Sequence, residues 1–211
     1  MTLHLEWILR MPVVDGSERT KSLWRQPVMQ DRSIHPNTRI LIDAWRRMSR
    51  GQDTNAVDDP RVAEHPDLIT QLFVVQHSKD NGWRFRTAGQ GLSDLLGRDL
   101  TNHDFLELWS GPDRFMMTHF MEAIRYDGAP GIVRGRGETL AGQRVEVEIT
   151  LMPLVRPGGR TDTPRLLGLY QTLGGEPMLK GRPIWRHRIS MLVPPDTRIE
   201  GPQLRLVTTN A

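Results

Sequence analysis

From Arg144 onward the chain alternates strictly, with Val145, Val147, Ile149 and Leu151 on one face and Arg144, Glu146 and Glu148 on the other. A period of two sustained over residues 144–155 commits the segment to a half-buried β-strand. Residues 131–138 and 164–172 supply candidate strands before and after it, the second reached through the turn Pro157-Gly158-Gly159. Earlier in the chain, residues 73–77 and 83–87 form another candidate pair. They flank Lys79-Asp80-Asn81-Gly82, where Asn-Gly sits at the place a tight hairpin favours positive φ.

Helical periodicity lies before and between these strands. In residues 38–50, Ile40, Leu41, Ala44, Trp45 and Met48 make one apolar stripe. Thr38 stands at the N-cap position and Gly51 at the stop. A short helix is expected near 67–72, another within 89–97, and a longer one over 111–126. Phe115, Thr118, Met121, Ala123 and Ile124 are the candidates for the buried side of the longer one. The order is β-β-α-α-β-β-β after an amino-terminal helix, which predicts an α+β domain with an antiparallel sheet. Residues 1–36 show no sustained period, and Trp7 and Trp24 suggest that parts of this arm dock. Residues 173–211 read as an irregular tail with a late strand at 203–208.

Composition narrows the function classes. The 211 residues contain no cysteine, which removes disulfides, thiolate metal sites, thiol catalysis and a cysteinyl–flavin photosensor. No apolar run reaches the ~18 residues of a membrane span. Glu6 and Arg10 interrupt the amino terminus before a signal-peptide core develops. The expected location is therefore the cytoplasm. Lys and Arg total 28 against 25 acidic residues, and the cations are overwhelmingly arginine, the bias of a GC-rich bacterial genome. Only the stretch after Thr172 is basic, a weak electrostatic footprint for nucleic acid.

Trp83-Arg84-Phe85-Arg86-Thr87-Ala88-Gly89, followed by Leu95-Leu96-Gly97-Arg98-Asp99-Leu100, resembles the front half of a PAS domain. The pattern is similar to the stand-alone bacterial PAS-like group common in alphaproteobacteria. A helix carrying Trp45 leads through Asp59-Pro60 to the first strand, a strand ends in Ala88-Gly89, and the Gly-Arg-Asp-Leu-Thr cluster at 97–101 follows. Asn102 stands where a glycine is usual. The resemblance covers residues 38–174. It implies a five-stranded antiparallel sheet with helices on one side and a cavity between them. Residues 1–37 are then a partly ordered extension, and residues 175–211 a basic, proline-containing tail.

Other chemistry is weakly signalled. Gly89-Gln90-Gly91 lacks the third glycine of a dinucleotide loop, because position 94 is Asp94. His103 and His119 lie near the central helices, where some PAS domains hold haem, but no zinc-type spacing accompanies them. No Gly-x-Ser-x-Gly elbow occurs. Glu146 and Glu148 are expected to face solvent together. Arg134, Arg136 and Arg144 are expected to pair across strands with Glu138, Glu146 and Glu148. In the tail, Arg182, Arg186 and Arg188 surround Trp185, a composition that also suits a nucleotide or nucleic acid.

The resemblance thus implies a non-enzymatic sensory or signalling module acting through a small ligand, protein contacts or both. Its output is expected to be a separate protein. The alternatives are an adaptor whose cavity is filled by side chains, and a nucleotide or nucleic-acid binder working through the tail. Any ligand is expected to be small and apolar, against walls of Phe85, Leu95, Phe105, Trp109, Phe115, Phe120 and Ile149. No tightly bound flavin or haem is expected, nor a membrane partner. A homodimer is expected through helix 38–50, near Trp45 or Ile42.

Overall fold

Alternation in the strands sorts side chains onto two opposite faces of one antiparallel sheet, and different helices cover each face. The computed structural model describes residues 34–49, 60–78, 82–154 and 163–195. Helix α1 (Pro36–Ser49) comes first, then the short helices α2 (Pro60–Ala63) and α3 (Pro66–Thr70). Strands β1 (Leu72–Ser78) and β2 (Gly82–Ala88) form a hairpin, followed by α4 (Gln90–Leu96), a 3₁₀ turn at Phe105–Leu108 and α5 (Gly111–Asp127). Strands β3 (Gly131–Thr139), β4 (Arg144–Pro153) and β5 (Arg165–Thr172) follow. After a second 3₁₀ turn at Glu176–Leu179 comes β6 (Ile184–Val193). The sheet order is β2-β1-β5-β4-β3-β6, with every neighbouring pair antiparallel.

The α+β antiparallel class agrees with the sequence reading, but the sheet has six strands rather than five. The sixth lies in the segment read as an irregular tail. Ile184, His187, Ile189 and Leu192 of β6 meet the interior, while Trp185, Arg186, Arg188 and Ser190 are exposed. Register shifts against β3 at Arg134/Gly135 and Glu138/Thr139 break the alternation, so no clean period of two marks this strand in the sequence. The proposed late strand at 203–208, the Trp7 and Trp24 contacts and the turn at 157–159 lie outside the described residues.

One face of the sheet presents Phe73, Val75, Val145, Val147, Ile149, Leu151, Leu166 and Tyr170 to α4, α5 and the first 3₁₀ turn. Gly168 belongs to this face for a steric reason, since a Cβ there would lie 2.1 Å from Cζ of Phe73. The loop after α4 accommodates Asn102 where glycine was expected. Asn102 takes φ 65°, a left-handed conformation that asparagine tolerates better than most side chains.

The opposite face is covered by α1, with α2 and α3 beside it. Leu41, Ala44 and Trp45 pack with Val62, Leu68, Leu72, Met152, Leu167 and Leu169. Burying one leucine of this kind contributes about 2 kcal/mol. Trp45 also donates its indole N–H to the Pro153 carbonyl at 2.8 Å. Thr38, expected as a cap, instead lies inside the helix, which begins at Pro36, and is fully buried. Its hydroxyl donates to Glu148 Oε1 at 2.8 Å and lies 3.1 Å from the Thr150 hydroxyl.

Glu148 corrects the expectation of a solvated carboxylate pair. Glu146 is exposed, whereas the Glu148 side chain is 0% exposed. Oε2 of Glu148 accepts from Nε of Arg134 at 2.8 Å and from Nη2 at 2.6 Å. Oε1 accepts from Thr38 and, at 3.1 Å, from the His35 backbone N–H. The two residues share a strand face, but α1 covers that face only from Glu148 onward. Glu148→Ala removes the buried acceptor that serves Arg134, the Thr38 hydroxyl and the His35 N–H, at an expected cost of ~3–5 kcal/mol. Urea unfolding followed by circular dichroism reads this directly. Glu148→Gln, which keeps an acceptor for Thr38, costs less.

Candidate functional site

The space between the sheet and helices α4 and α5 holds the residues on which a ligand reading depends. Asp104 builds one wall. Its Oδ1 accepts from the Leu106 N–H at 2.9 Å, starting the 3₁₀ turn, and its Oδ2 accepts from Arg114 of α5 at 2.7 Å. That turn drives Phe105 inward and sets Trp109 at its end. Phe73, Phe85, Phe105, Trp109, His187 and Tyr170 then touch in a continuous series, successive ring centroids lying 5.1–5.6 Å apart. Spacings of this order are those of favourable tilted and edge-to-face aromatic pairs.

Of the seven wall residues expected from sequence, the structure gathers Phe85, Phe105, Trp109, Phe120 and Ile149 into this core, with Leu95 packed at its margin. Phe115 is not among them. It is 65% exposed on the outer side of α5, its ring edge-on to His119 with centroids 4.3 Å apart. The buried side of α5 is Asp113, Met117, Phe120, Met121 and Ile124. The expected stripe is therefore out of phase at Phe115, Thr118 and Ala123 and right at Met121 and Ile124. Both candidate haem ligands, His103 and His119, are exposed. Among the described residues no cluster of three His, Asp or Glu side chains is arranged to hold a metal ion. Gly89 does not form a phosphate loop. It lies against the Thr70 carbonyl with no room for a Cβ.

Sequence reasoning missed His187 and Tyr170. The Tyr170 hydroxyl and His187 Nε2 are 2.7 Å apart, and both residues are buried. Desolvation lowers the His187 pKa to about 4, with Arg98 acting in the same direction and the Leu108 backbone opposing them. Burial pushes the Tyr170 hydroxyl upward. Both groups are therefore uncharged at neutral pH, and neither can serve as an ionised acid or base there. The signal for His187 was its place two residues before Ile189 in an alternating run, hidden by the register shifts.

The tail arginines are largely matched by carboxylates. Arg186 donates to Glu138 at 2.9 Å, and Arg188 lies 3.7 Å from Asp113. On the strands, Arg134 pairs with Glu148, Arg144 with Glu138 and Arg136 with Glu146, as expected for a cross-strand arrangement. Hydrogen bonding from Arg186, reinforced by Arg144, holds the Glu138 carboxyl below the usual range.

His187 imposes a pH dependence whose sign is fixed by its depressed pKa. Between pH 6.5 and about 4 the unfolded chain binds a proton that the folded chain does not. Stability is therefore full above pH 6.5 and falls as the pH drops toward 4, by roughly 3 kcal/mol from this residue. Urea titrations at pH 7 and pH 4.5 should show this slope in the wild type. They should show it reduced in His187→Asn, compared against each protein's own stability at pH 7.

A family model described as a PAS domain matches residues 33–171. No curated protein matches the chain. Among solved structures, a light-oxygen-voltage domain is 16% identical, covering 60% of this chain and 93% of its own, with a TM-score of 0.42. The PAS domain of Bordetella pertussis BvgS is 14% identical, covering 58% of this chain and 93% of its own, with a TM-score of 0.38. A Rhodobacter sphaeroides LOV protein is 18% identical, covering 54% and 69%, with a TM-score of 0.39. With its family match spanning both the β1–β2 hairpin and the β3–β5 strands, the chain belongs to the PAS domain family, a family of sensory signalling modules.

Proposed function

We propose that this protein is a non-catalytic signalling module that works mainly through contacts with other protein chains, including a separate output protein. The observation that carries the reading is the unbroken series of rings from Phe73 to Tyr170, which packs side chain against side chain behind the sheet. This favours the adaptor alternative over a small apolar ligand held in the core. The buried His187–Tyr170 pair supports a non-catalytic role, because desolvation makes the imidazole a poor proton acceptor and the phenol a poor proton donor. Family membership supports signalling as the broad role. This reading takes the cytoplasm as the protein's location. Among the described residues no helix is long and apolar enough to cross a membrane.

Native mass spectrometry and absorbance of the purified protein test the filled interior. The expected mass is that of the polypeptide, with no flavin or Soret band. A retained small molecule, displaced on unfolding, would restore the ligand reading.

One such contact is a homodimer through α1. Leu41, Ala44 and Trp45 are committed to the chain's own sheet, so Trp45 is withdrawn from the expected interface. Ile42 is only partly buried and lies on one flank of the stripe, the edge that a second copy would meet. A two-fold contact would place this edge on both subunits. Light scattering over a dilution series should give a dimer for the wild type. Ile42→Glu should shift it to monomer with the circular dichroism spectrum unchanged. A wild-type monomer at every concentration removes the homodimer.

A further inference from the structure

A cleft of about 610 Å³ opens beside the aromatic interior, where the β3–β4 hairpin, residues 107–110 and the start of β6 meet. Its size is that of ordinary small-molecule sites, on the order of 300–1,000 Å³. Three guanidinium side chains line it, those of Arg98, Arg144 and Arg186, against two carboxylates, Glu107 and Glu138. Glu138 is engaged on both oxygens, by Arg144 at 2.8 Å and Arg186 at 2.9 Å. Arg98 has no carboxylate partner among the described residues. Its guanidinium instead lies 5.9 Å from the centroid of the Trp185 ring. Trp185 is 56% exposed although it is among the largest apolar side chains in the chain.

An exposed indole next to an unmatched guanidinium offers two kinds of recognition in one place. The ring supplies a stacking surface, and the cation supplies a charge-assisted hydrogen bond to an oxyanion. The excess of one cation over the carboxylates suits a ligand with one anionic group. We propose that this cleft binds a small molecule composed of a flat aromatic ring and a single oxyanion group, carboxylate or phosphate. The ring stacks at Trp185 and the oxyanion meets Arg98. The site is separate from the filled interior, yet joined to it. Trp109 lines the cleft, and its ring lies 5.5 Å from that of His187 and 5.1 Å from that of Phe105. This proposal deepens the signalling reading by giving the module an input, and its test does not depend on any output protein.

Saturation-transfer NMR on the full chain provides that test, with 2-naphthoate, adenosine 5′-monophosphate and uncharged 2-naphthalenemethanol as probes. At least one anionic probe should bind with Kd below about 1 mM, and the uncharged probe should bind at least about tenfold more weakly. The better of the two anionic probes identifies carboxylate or phosphate as the preferred group. Arg98→Gln and Trp185→Ala should each weaken binding by at least about tenfold, with circular dichroism unchanged. Arg125→Gln, on the exposed side of α5, should leave it as it was. Failure of both anionic probes to bind overturns the proposal, as does equal binding of the uncharged probe or undiminished binding by both cleft variants. None of those results alters the native mass or the light scattering, so the signalling reading stands or falls separately.

Discussion

A single carboxylate withdrawn from water governs how one face of the sheet is covered. A desolvated charge is tolerated only where its partners are fixed and its lone pairs are used. Glu148 meets that condition with donors from three places: Arg134 on β3, Thr38 within α1 and the backbone at His35. Each donor constrains a different element. Arg134 holds the β3–β4 register, and Thr38 and His35 set where α1 begins. With that end placed, Trp45 reaches the Pro153 carbonyl, and the leucines of β5 lose their water. The polar cluster is small, but the hydrophobic cover on that face has one position because of it.

The two faces of the sheet bury polarity in opposite ways. Beneath α1 the buried groups are charged and carry matched donors. In the aromatic core behind α4 and α5 the buried pair is neutral, a tyrosine and a histidine among rings and aliphatic chains, and the carboxylate on the buried side of α5, Asp113, lies at the start of that helix, 3.7 Å from Arg188. The difference follows from the neighbours. Hydroxyls, an exposed-side arginine and a free backbone N–H are available near β4, whereas the other side offers mostly aromatic edges. A carboxylate in that second setting would be left without donors. A neutral imidazole needs far less, and one good hydrogen bond to a phenol satisfies much of it.

What the sequence made legible follows from where periodicity is undisturbed. The stripe of Leu41, Ala44 and Trp45 and the alternation of β4 repeat without interruption, and the paired runs at 73–77 and 83–87 stand close together; these led to the right elements. The strand β6 did not, because two register shifts insert extra residues and displace Trp185 from the pattern. On α5, Phe115 attracted an inward assignment by its size, although Met117, Phe120, Met121 and Ile124 carried the regular spacing. Glu148 was read as solvated because alternation reports which face a side chain takes. It does not report how far along that face a helix extends. Five of the seven expected wall residues lie in the core and Leu95 at its margin, since large apolar side chains near the sheet have few other places to go. The histidine that links Trp109 to Tyr170 came from the sixth strand.

That sixth strand also changes what the rim of the sheet can do. Without it, β3 would present a row of unpaired peptide groups, the kind of border on which foreign strands and fibrils grow. The new border, β6, carries Trp185, Arg186 and Arg188 and is bent by two irregularities against its neighbour. At the other border, residues of the 102–104 segment lie along β2, with the Phe85 N–H donating to the His103 carbonyl and the Asn102 N–H to the Phe85 carbonyl. Both borders are thus guarded, one by charge and curvature and the other by the chain itself. Growth by adding strand to strand is disfavoured, and assembly is directed to helices and side-chain surfaces, whose complementarity selection can tune one residue at a time.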